Sequence, residues 1–249
     1  MPYTAAVKPR SILSGPLNLL YPERCVNCGA FGRALCAVCE AAISPEPGPR
    51  CPMCWSRWDS AALNGHRRPL NCPRCLPLEA IDLVRAAADM TGPARRVVHA
   101  LKYRGVRSLA PAIAAVLTPA VSGLQFDAVF AVPLHRSRLR DRGFNQAELI
   151  RAAAGWPPAG GELRRLRDTA RQVGLHLGQR RSNVSGAFAY AGPDLSAQTV
   201  ALLDDVVTTG ATANECARVL REHGARRVVV IAFARASFNP DVPGAPIED

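Results

Sequence analysis

The chain has no apolar run approaching the roughly 18 residues that a membrane-spanning helix needs, so nothing in its 249 residues predicts a transmembrane segment. It also lacks a signal-peptide core. Lys8 and Arg10 precede Ser11 to Leu20, but Ser14, Gly15, Pro16 and Asn18 interrupt that stretch, and a cytoplasmic address is the expectation. Without secretion, a disulfide scaffold is excluded. Aromatics make up only 6% of the residues, which leaves little surface for stacking bases. Acids are scarce beside bases: 20 Asp and Glu face 31 Lys and Arg, for a formal net charge of +11. That balance suits polyanionic partners, diphosphates or nucleic acid alike. No internal repeat is present beyond one duplicated cysteine pattern.

Cysteine, by contrast, is abundant. Of the 9 cysteines, all but Cys216 fall into Cys-x-x-Cys pairs: Cys25/Cys28, Cys36/Cys39, Cys51/Cys54 and Cys72/Cys75. One such pair reads as a redox site, but four in close succession point to tetrahedral zinc held by sulfur. The simplest grouping is sequential, Cys25, Cys28, Cys36 and Cys39 on one ion and Cys51, Cys54, Cys72 and Cys75 on the second; crossed grouping stays open. Gly29, Pro52 and Pro73 suit tight knuckles. Four thiolates close the coordination sphere, so both ions are expected to be structural, and a segment this poor in core residues needs them to fold. Eight thiolates set against two divalent ions lower the net charge to about +7. Cys216 reads as a packed core thiol on the apolar face of a helix.

Residues 1–24 read as a lead-in, with an amphipathic patch at Ile12, Leu17, Leu19 and Leu20. Residues 25–78 form the double zinc ribbon, bridged by the proline-rich stretch Ser44 to Pro49. Residues 79–237 form the main domain, and 238–249 a flexible tail. Within the main domain the pattern predicts a strand over Leu83 to Met90 and a helix from Gly92 to about Tyr103. A second helix follows at Val106, Leu109, Ile113 and Leu117. A strand over Asp127 to Val132 precedes a helix at Phe144, Ala147, Ile150 and Ala154. The strand from Thr199, a helix from about Thr212 to His223 and a strand over Arg227 to Ala234 close the series. Strands alternating with helices imply an α/β fold, a mainly parallel sheet flanked by helices, with the small cysteine-rich module at its N-terminal side.

The chemistry concentrates in Thr199-Val-Ala-Leu-Leu-Asp204-Asp205-Val-Val-Thr208-Thr209-Gly210-Ala211-Thr212. A buried strand ends in two acids, then in a turn of small residues. Adjacent buried carboxylates are costly without partners, so a role toward sugar hydroxyls or a metal ion is expected. Gly210 permits close backbone approach, and Thr212-Ala-Asn-Glu215 has the spacing of a capping box, so a helix N-terminus would face a phosphate. A second basic stretch follows the Asp127 to Val132 strand, with His135, Arg136, Arg138 and Arg142 placed to neutralise a diphosphate; a plain solvated loop is the other reading. His135 reads as a diphosphate donor, a base or a loop residue, with the donor role favoured. Lys102, beside Tyr103 and Arg104, either reaches the cleft or complements the dipole at its helix end. Arg164 to Ala187 is basic and polar, fitting a lid, a single-strand contact or an exposed loop.

The acid pair with its Thr-rich turn resembles the phosphoribosyl-diphosphate motif of type I phosphoribosyltransferases. By that resemblance Asp204 and Asp205 hold the ribose hydroxyls as catalytic residues, and Thr208, Thr209, Gly210, Ala211 and Thr212 hold the 5-phosphate. Residues 79–237 would then be a phosphoribosyltransferase-like domain. The double zinc ribbon, Leu101-Lys-Tyr-Arg-Gly105, Val132-Pro-Leu-His135, Arg142-Gly-Phe-Asn-Gln146, Arg167-Asp-Thr-Ala-Arg-Gln172, Arg181-Ser-Asn-Val-Ser-Gly-Ala-Phe188 and the acid-pair motif, in that order, resemble the ComF (ComFC) family over roughly residues 20–236. The resemblance implies binding of phosphoribosyl diphosphate with Mg²⁺, transfer to an acceptor it does not identify, and a link to competence, the uptake of single-stranded DNA. Residue 2 is Pro and the early cysteines belong to the zinc quartets, so the glutamine-hydrolysing chemistry of some relatives on this fold is not expected. The opposing reading is a non-enzymatic module that holds single-stranded DNA or a competence partner on its zinc ribbons and basic loops.

Overall fold

A computed structural model describes residues 22–57, 72, 74–75, 78–168 and 184–236. The lead-in patch at Ile12 to Leu20, the tail 238–249 and the middle of the Arg164 to Ala187 stretch lie outside the described residues. Four strands form one sheet in the order β1 (Leu83–Asp89), β6 (Arg227–Arg235), β5 (Thr199–Val207), β2 (Ala128–Ala131), and every pairing is parallel. All four strands therefore end at one edge of the sheet, which is where ligands bind in open α/β folds.

The apolar runs are continuous because both faces are covered. Ala201 and Leu203 of β5 join Val229 and Ile231 of β6 in a core beneath α2 (Gly92–Tyr103), α3 (Ala110–Ala120) and α5 (Gln146–Ala153). Val200 and Leu202 point the other way. They join Val228 and Val230 in a second core beneath α6 (Ala211–Glu222) and the antiparallel pair β3 (Glu162–Arg165) and β4 (Phe188–Ala191). Residues of one strand alternate between faces, so two layers are filled from one segment. The cysteine segments divide between the same cores. Cys25, Leu35, Cys39 of the short α1 (Ala37–Ala41) and Ile43 pack into the first. Cys51, Cys54, Leu78 and Ile81 pack into the second.

Three local expectations need correction. The strand β5 does not stop at the acids but runs through them to Val207. The basic stretch after β2 is not a loop but a helix, α4 (Arg136–Arg142), with no buried residue. It lacks an apolar face and is held by its ends: His135 caps one, and Gly143 closes the other at φ 73° in the left-handed region. The third is the pair β3–β4, which claims Arg164 and Arg165 from the expected loop. Each of its strands is only four residues long, too short for a periodic signal.

A buried ion pair fastens the cysteine module to the sheet. Arg50 donates to Asp89 at the end of β1, Nη1 to Oδ1 at 3.1 Å and Nη2 to Oδ2 at 2.5 Å, and the Glu46 N–H adds a third bond at 2.8 Å. Both side chains are under a tenth exposed. Removing one partner strands the other charge, so Asp89→Ala is expected to cost about 3–5 kcal/mol in urea unfolding. A loss below about 1 kcal/mol would show that Arg50 finds solvent instead.

Candidate functional site

The strand ends meet in a cleft of about 500 Å³. Its floor is the end of β5 and the turn into α6, with Asp204, Asp205, Thr208, Gly210, Ala211 and Thr212 lining it. Gly210 is required there. Its φ is +81°, and a Cβ would lie 2.5 Å from Leu78 Cδ2. The expected capping box does not form. Gly210 itself is the N-cap of α6, and Glu215 instead accepts the Gly186 N–H at 2.6 Å and pairs with Arg218 at 2.8 Å. The short Asn or Ser type of cap is replaced by Thr209, whose Oγ1 accepts the Ala211 N–H at 3.3 Å. Thr209 is buried and is not among the lining residues.

Opposite the acids stand cations. Lys102 Nζ lies 3.0 Å from Asp205 Oδ1, so Lys102 reaches the cleft from the last turn of α2. Burial works against its ammonium, but Asp205 and Asp204 outweigh that and hold its pKa above the ordinary value. Burial and the neighbouring Asp205 push the Asp204 carboxyl up to about 8, with Lys102 opposing. Arg138 and Arg142 of α4 line the cleft; Arg136 and His135 do not. His135 Nδ1 accepts the Ser137 N–H at 3.3 Å and lies 2.9 Å from Ser137 Oγ, which donates to Asp168 at 2.6 Å. Cys216 is fully buried beneath the floor, and burial, then Asp204, push its thiol well up, as a packed core thiol requires.

Among the lining residues, Asp205 and Gln146 each bury a side-chain polar atom that has no hydrogen-bond partner among the described residues. Oδ2 of Asp205 is an unmet acceptor and Nε2 of Gln146 an unmet donor, and both residues are buried. Buried polar groups are normally satisfied, so this acceptor and this donor call for a partner such as a polar ligand or an ordered water. Gln146 is set by Asn145, which caps α5 through the Ala147 N–H at 2.9 Å and donates to Val132 O at 3.0 Å, tying α5 to the end of β2. Arg95, His99 and Arg165 line the cleft without having been named as site residues from sequence, and Gln146 was named only as the end of the Arg142-Gly-Phe-Asn-Gln146 motif. Arg95, His99 and Lys102 do recur at i, i+4 and i+7, a helical spacing that carries the signal. Arg165 had none: it lies on the short β3, with its guanidinium 5.4 Å from the Phe188 ring centre.

The cysteines gather sequentially. Cys25, Cys28, Cys36 and Cys39 form one cluster and Cys51, Cys54, Cys72 and Cys75 the other, with all sulfurs of a cluster within 4.8 Å of one another. Sulfur separations are 3.7 Å for Cys28–Cys36, 3.5 Å for Cys51–Cys75 and 3.7 Å for Cys54–Cys72. A tetrahedron of thiolates around zinc at about 2.3 Å has edges of about 3.8 Å, so both clusters fit structural zinc. The segment that carries the second cluster is linked to the small-residue turn through Arg235. Buried Arg235 donates Nη2 to Ser56 Oγ at 3.1 Å and Nη1 to Val207 O at 3.1 Å and to Thr208 O.

No protein-family model matches the chain. It is similar to DNA utilization protein YhgH of Salmonella typhimurium, 34% identical over 214 residues covering 81% of this chain and 90% of that protein. It is also similar to competence protein F of Haemophilus influenzae, 29% identical over 231 residues covering 86% of this chain and 97% of that one. Among solved structures it is similar to phosphoribosylpyrophosphate synthetase from Mycobacterium smegmatis, at 18% identity and a TM-score of 0.29, over 51% of this chain and 33% of that one. Among the described residues, no helix is long and apolar enough to cross a membrane.

Proposed function

The chain belongs to the ComF family, with DNA utilization protein YhgH and competence protein F among its relatives, and from that premise we propose that it binds 5-phosphoribosyl diphosphate and transfers the phosphoribosyl group to an acceptor. The observation that carries this reading is the unmet pair Asp205 Oδ2 and Gln146 Nε2 in a cleft that sets two carboxylates beside a small-residue turn. An acceptor oxygen and a donor nitrogen are what vicinal hydroxyls satisfy.

Asp204 and Asp205 hold the ribose hydroxyls. Thr208, Gly210, Ala211 and Thr212 receive the 5-phosphate at the start of α6, with the helix dipole behind them. Thr209 shapes that turn from within. The acceptor forms a bond to the anomeric carbon as the bond to diphosphate breaks, and diphosphate departs with the electron pair. Arg138 and Arg142 stabilise the charge it carries away. Arg136 and His135 back the same helix from outside the cleft wall, His135 as its cap. On the protein side the carboxylates of Asp204 and Asp205 would hold Mg²⁺, which would supply positive charge toward the departing diphosphate. The relatives' names, DNA utilization and competence, support a place for this site in the handling of single-stranded DNA by a cytoplasmic protein.

Titration calorimetry with 5-phosphoribosyl diphosphate and Mg²⁺ tests the binding, and diphosphate release in the presence of candidate acceptors tests turnover. Asp205→Ala is expected to weaken binding by about 10- to 100-fold, the value of one or two hydrogen bonds to a charged group. Absence of heat from the unaltered protein would sink the reading.

A further inference from the structure

The helix α2 lines two hollows rather than one. Arg95, His99 and Lys102 face the cleft at the strand ends. Arg95 and His99 also line a second cavity of about 420 Å³, together with Arg96, Arg104, Gly92 and Val26. The two cavities therefore share a wall, formed by Arg95 and His99. The second cavity has three guanidinium groups and an imidazole in its lining and no Asp or Glu. Among the described residues, no ion pair joins Arg95, Arg96 or Arg104 to a carboxylate. Like charges gathered around one hollow repel one another; the negative charge of four thiolates on zinc behind Asn27 offsets part of that repulsion, and an anion seated among the guanidinium groups relieves the rest.

The first cysteine cluster builds part of this wall. Arg96 Nη1 donates to Asn27 Oδ1 at 2.7 Å, and Asn27 Nδ2 donates to Cys39 Sγ at 3.1 Å. Asn27 lies on the knuckle between Cys25 and Cys28, and Val26 beside it lines the cavity. Arg96 is thus aimed by a bond to a residue that the metal-binding knuckle fixes. Guanidinium held in this way presents its remaining N–H groups in a fork suited to phosphate oxygens.

In the cleft, the acids and the small-residue turn already account for the sugar and its 5-phosphate. The α2 wall, with Met90, Arg95, Val98 and His99, has no occupant in that scheme. We propose that the second cavity is a phosphate subsite for the acceptor, so that the acceptor is a phosphate-bearing molecule, either a free nucleotide or the phosphodiester chain of a single strand. The name acceptor rests on the transfer reaction proposed above; the phosphate subsite itself does not. Its position also gives the first zinc cluster a task beyond folding, since that cluster orients one of the subsite's arginines.

The test uses the full-length, zinc-loaded protein and three probes: thymidine 5′-monophosphate, thymidine, and a fluorescein-labelled ten-residue oligothymidylate. Arg96 and Arg104 are exposed and outside the cleft, so the R96Q/R104Q double variant keeps the fold and the affinity for 5-phosphoribosyl diphosphate. It is expected to bind the phosphate probes about tenfold more weakly, with the slope of log affinity against log salt reduced by about one to two. Loss for both phosphate probes identifies a nucleotide as sufficient; loss for the oligothymidylate alone identifies the diester chain. Unchanged affinity and slope for both phosphate probes, or thymidine binding as well as its monophosphate, overturns the subsite. An unaltered protein that binds the phosphate probes through Arg96 and Arg104 but takes no 5-phosphoribosyl diphosphate would refute the transfer reaction and leave the subsite standing.

Discussion

Asp204→Asn is expected to make the ligand-free protein more heat-stable at pH 8 while weakening 5-phosphoribosyl diphosphate by about 10- to 100-fold. Burial and the adjacent Asp205 push the Asp204 carboxyl up to about 8. In the unfolded chain the same group titrates near 4. Between those values the native state holds a proton that the unfolded state has lost. Stability contributed by that proton is whole below about pH 4, falls as pH rises, and is gone above about pH 8. Asparagine has no charge to desolvate, so the variant escapes the loss. The gap in thermal midpoint between variant and unaltered protein should therefore widen from pH 5 to pH 8, by about 2–4 °C for each kcal/mol. An equal gap at both pH values would show that Asp204 is ionised without cost, and that the site is not strained. The opposite signs of the two effects are what separate a ligand-binding acid from a structural one. A structural acid, replaced by its amide, loses stability.

The parallel sheet was legible because its strands are buried on both faces and so read as unbroken apolar runs, Val200 to Leu203 and Val228 to Ala234 above all. The helices α2, α3, α5 and α6 showed their apolar stripes; α2 lies at its expected bounds, α5 and α6 are displaced by one or two residues, and α3 begins four residues later than Val106 because a 3-10 turn over Arg107–Leu109 precedes it. What escaped was held together by ends and contacts rather than by period. The helix α4 has seven residues and no buried one, so it reads as a loop until His135 and Gly143 are seen to close it. Glu215 stands at capping-box spacing, but tertiary partners claim it: Gly186 from across the fold and Arg218 one turn on. In the site, the acids, the turn and Lys102 came from local sequence. Arg165 and Gln146 come from segments distant in the chain that only the sheet edge brings to one cleft. The two-by-two grouping of the cysteine pairs was the simplest reading of their order, and the sulfur distances select it over the crossed one.

Stripping metal from the second cysteine cluster is expected to disturb the phosphate-sized turn as well as the cluster. Purified protein should carry two zinc ions per chain by elemental analysis, one per cluster. In peptides a structural zinc site is worth about 10–16 kcal/mol of binding free energy at neutral pH. Whole domains are stable by only about 5–15 kcal/mol, so loss of either ion competes with the entire fold. The second cluster is the more consequential because of what it touches. Cys51 and Cys54 belong to the core beneath α6, and Leu78 packs at 2.5 Å from where a Cβ on Gly210 would lie. Ser56, two residues past Cys54, receives Arg235 Nη2, while Nη1 of the same guanidinium holds the carbonyls of Val207 and Thr208. When the cluster opens, Arg235 loses Ser56, and a buried cation left short of partners rearranges or draws in water. Thr208 to Ala211 should then exchange amide hydrogens faster. Cys51→Ser is expected to lower zinc content to one ion per chain, to drop the thermal midpoint by 10 °C or more in order of magnitude, and to weaken 5-phosphoribosyl diphosphate binding in whatever fraction stays folded. Ser56→Ala separates the two contributions: it keeps both ions and the cluster, removes the bond to Arg235, and should speed exchange in the turn alone. Fast exchange in the Cys51→Ser protein with no change in Ser56→Ala would assign the coupling to Leu78 and the core instead of to Arg235. A chain that carries no zinc and melts at the same temperature with and without chelator would remove the metal from the fold altogether.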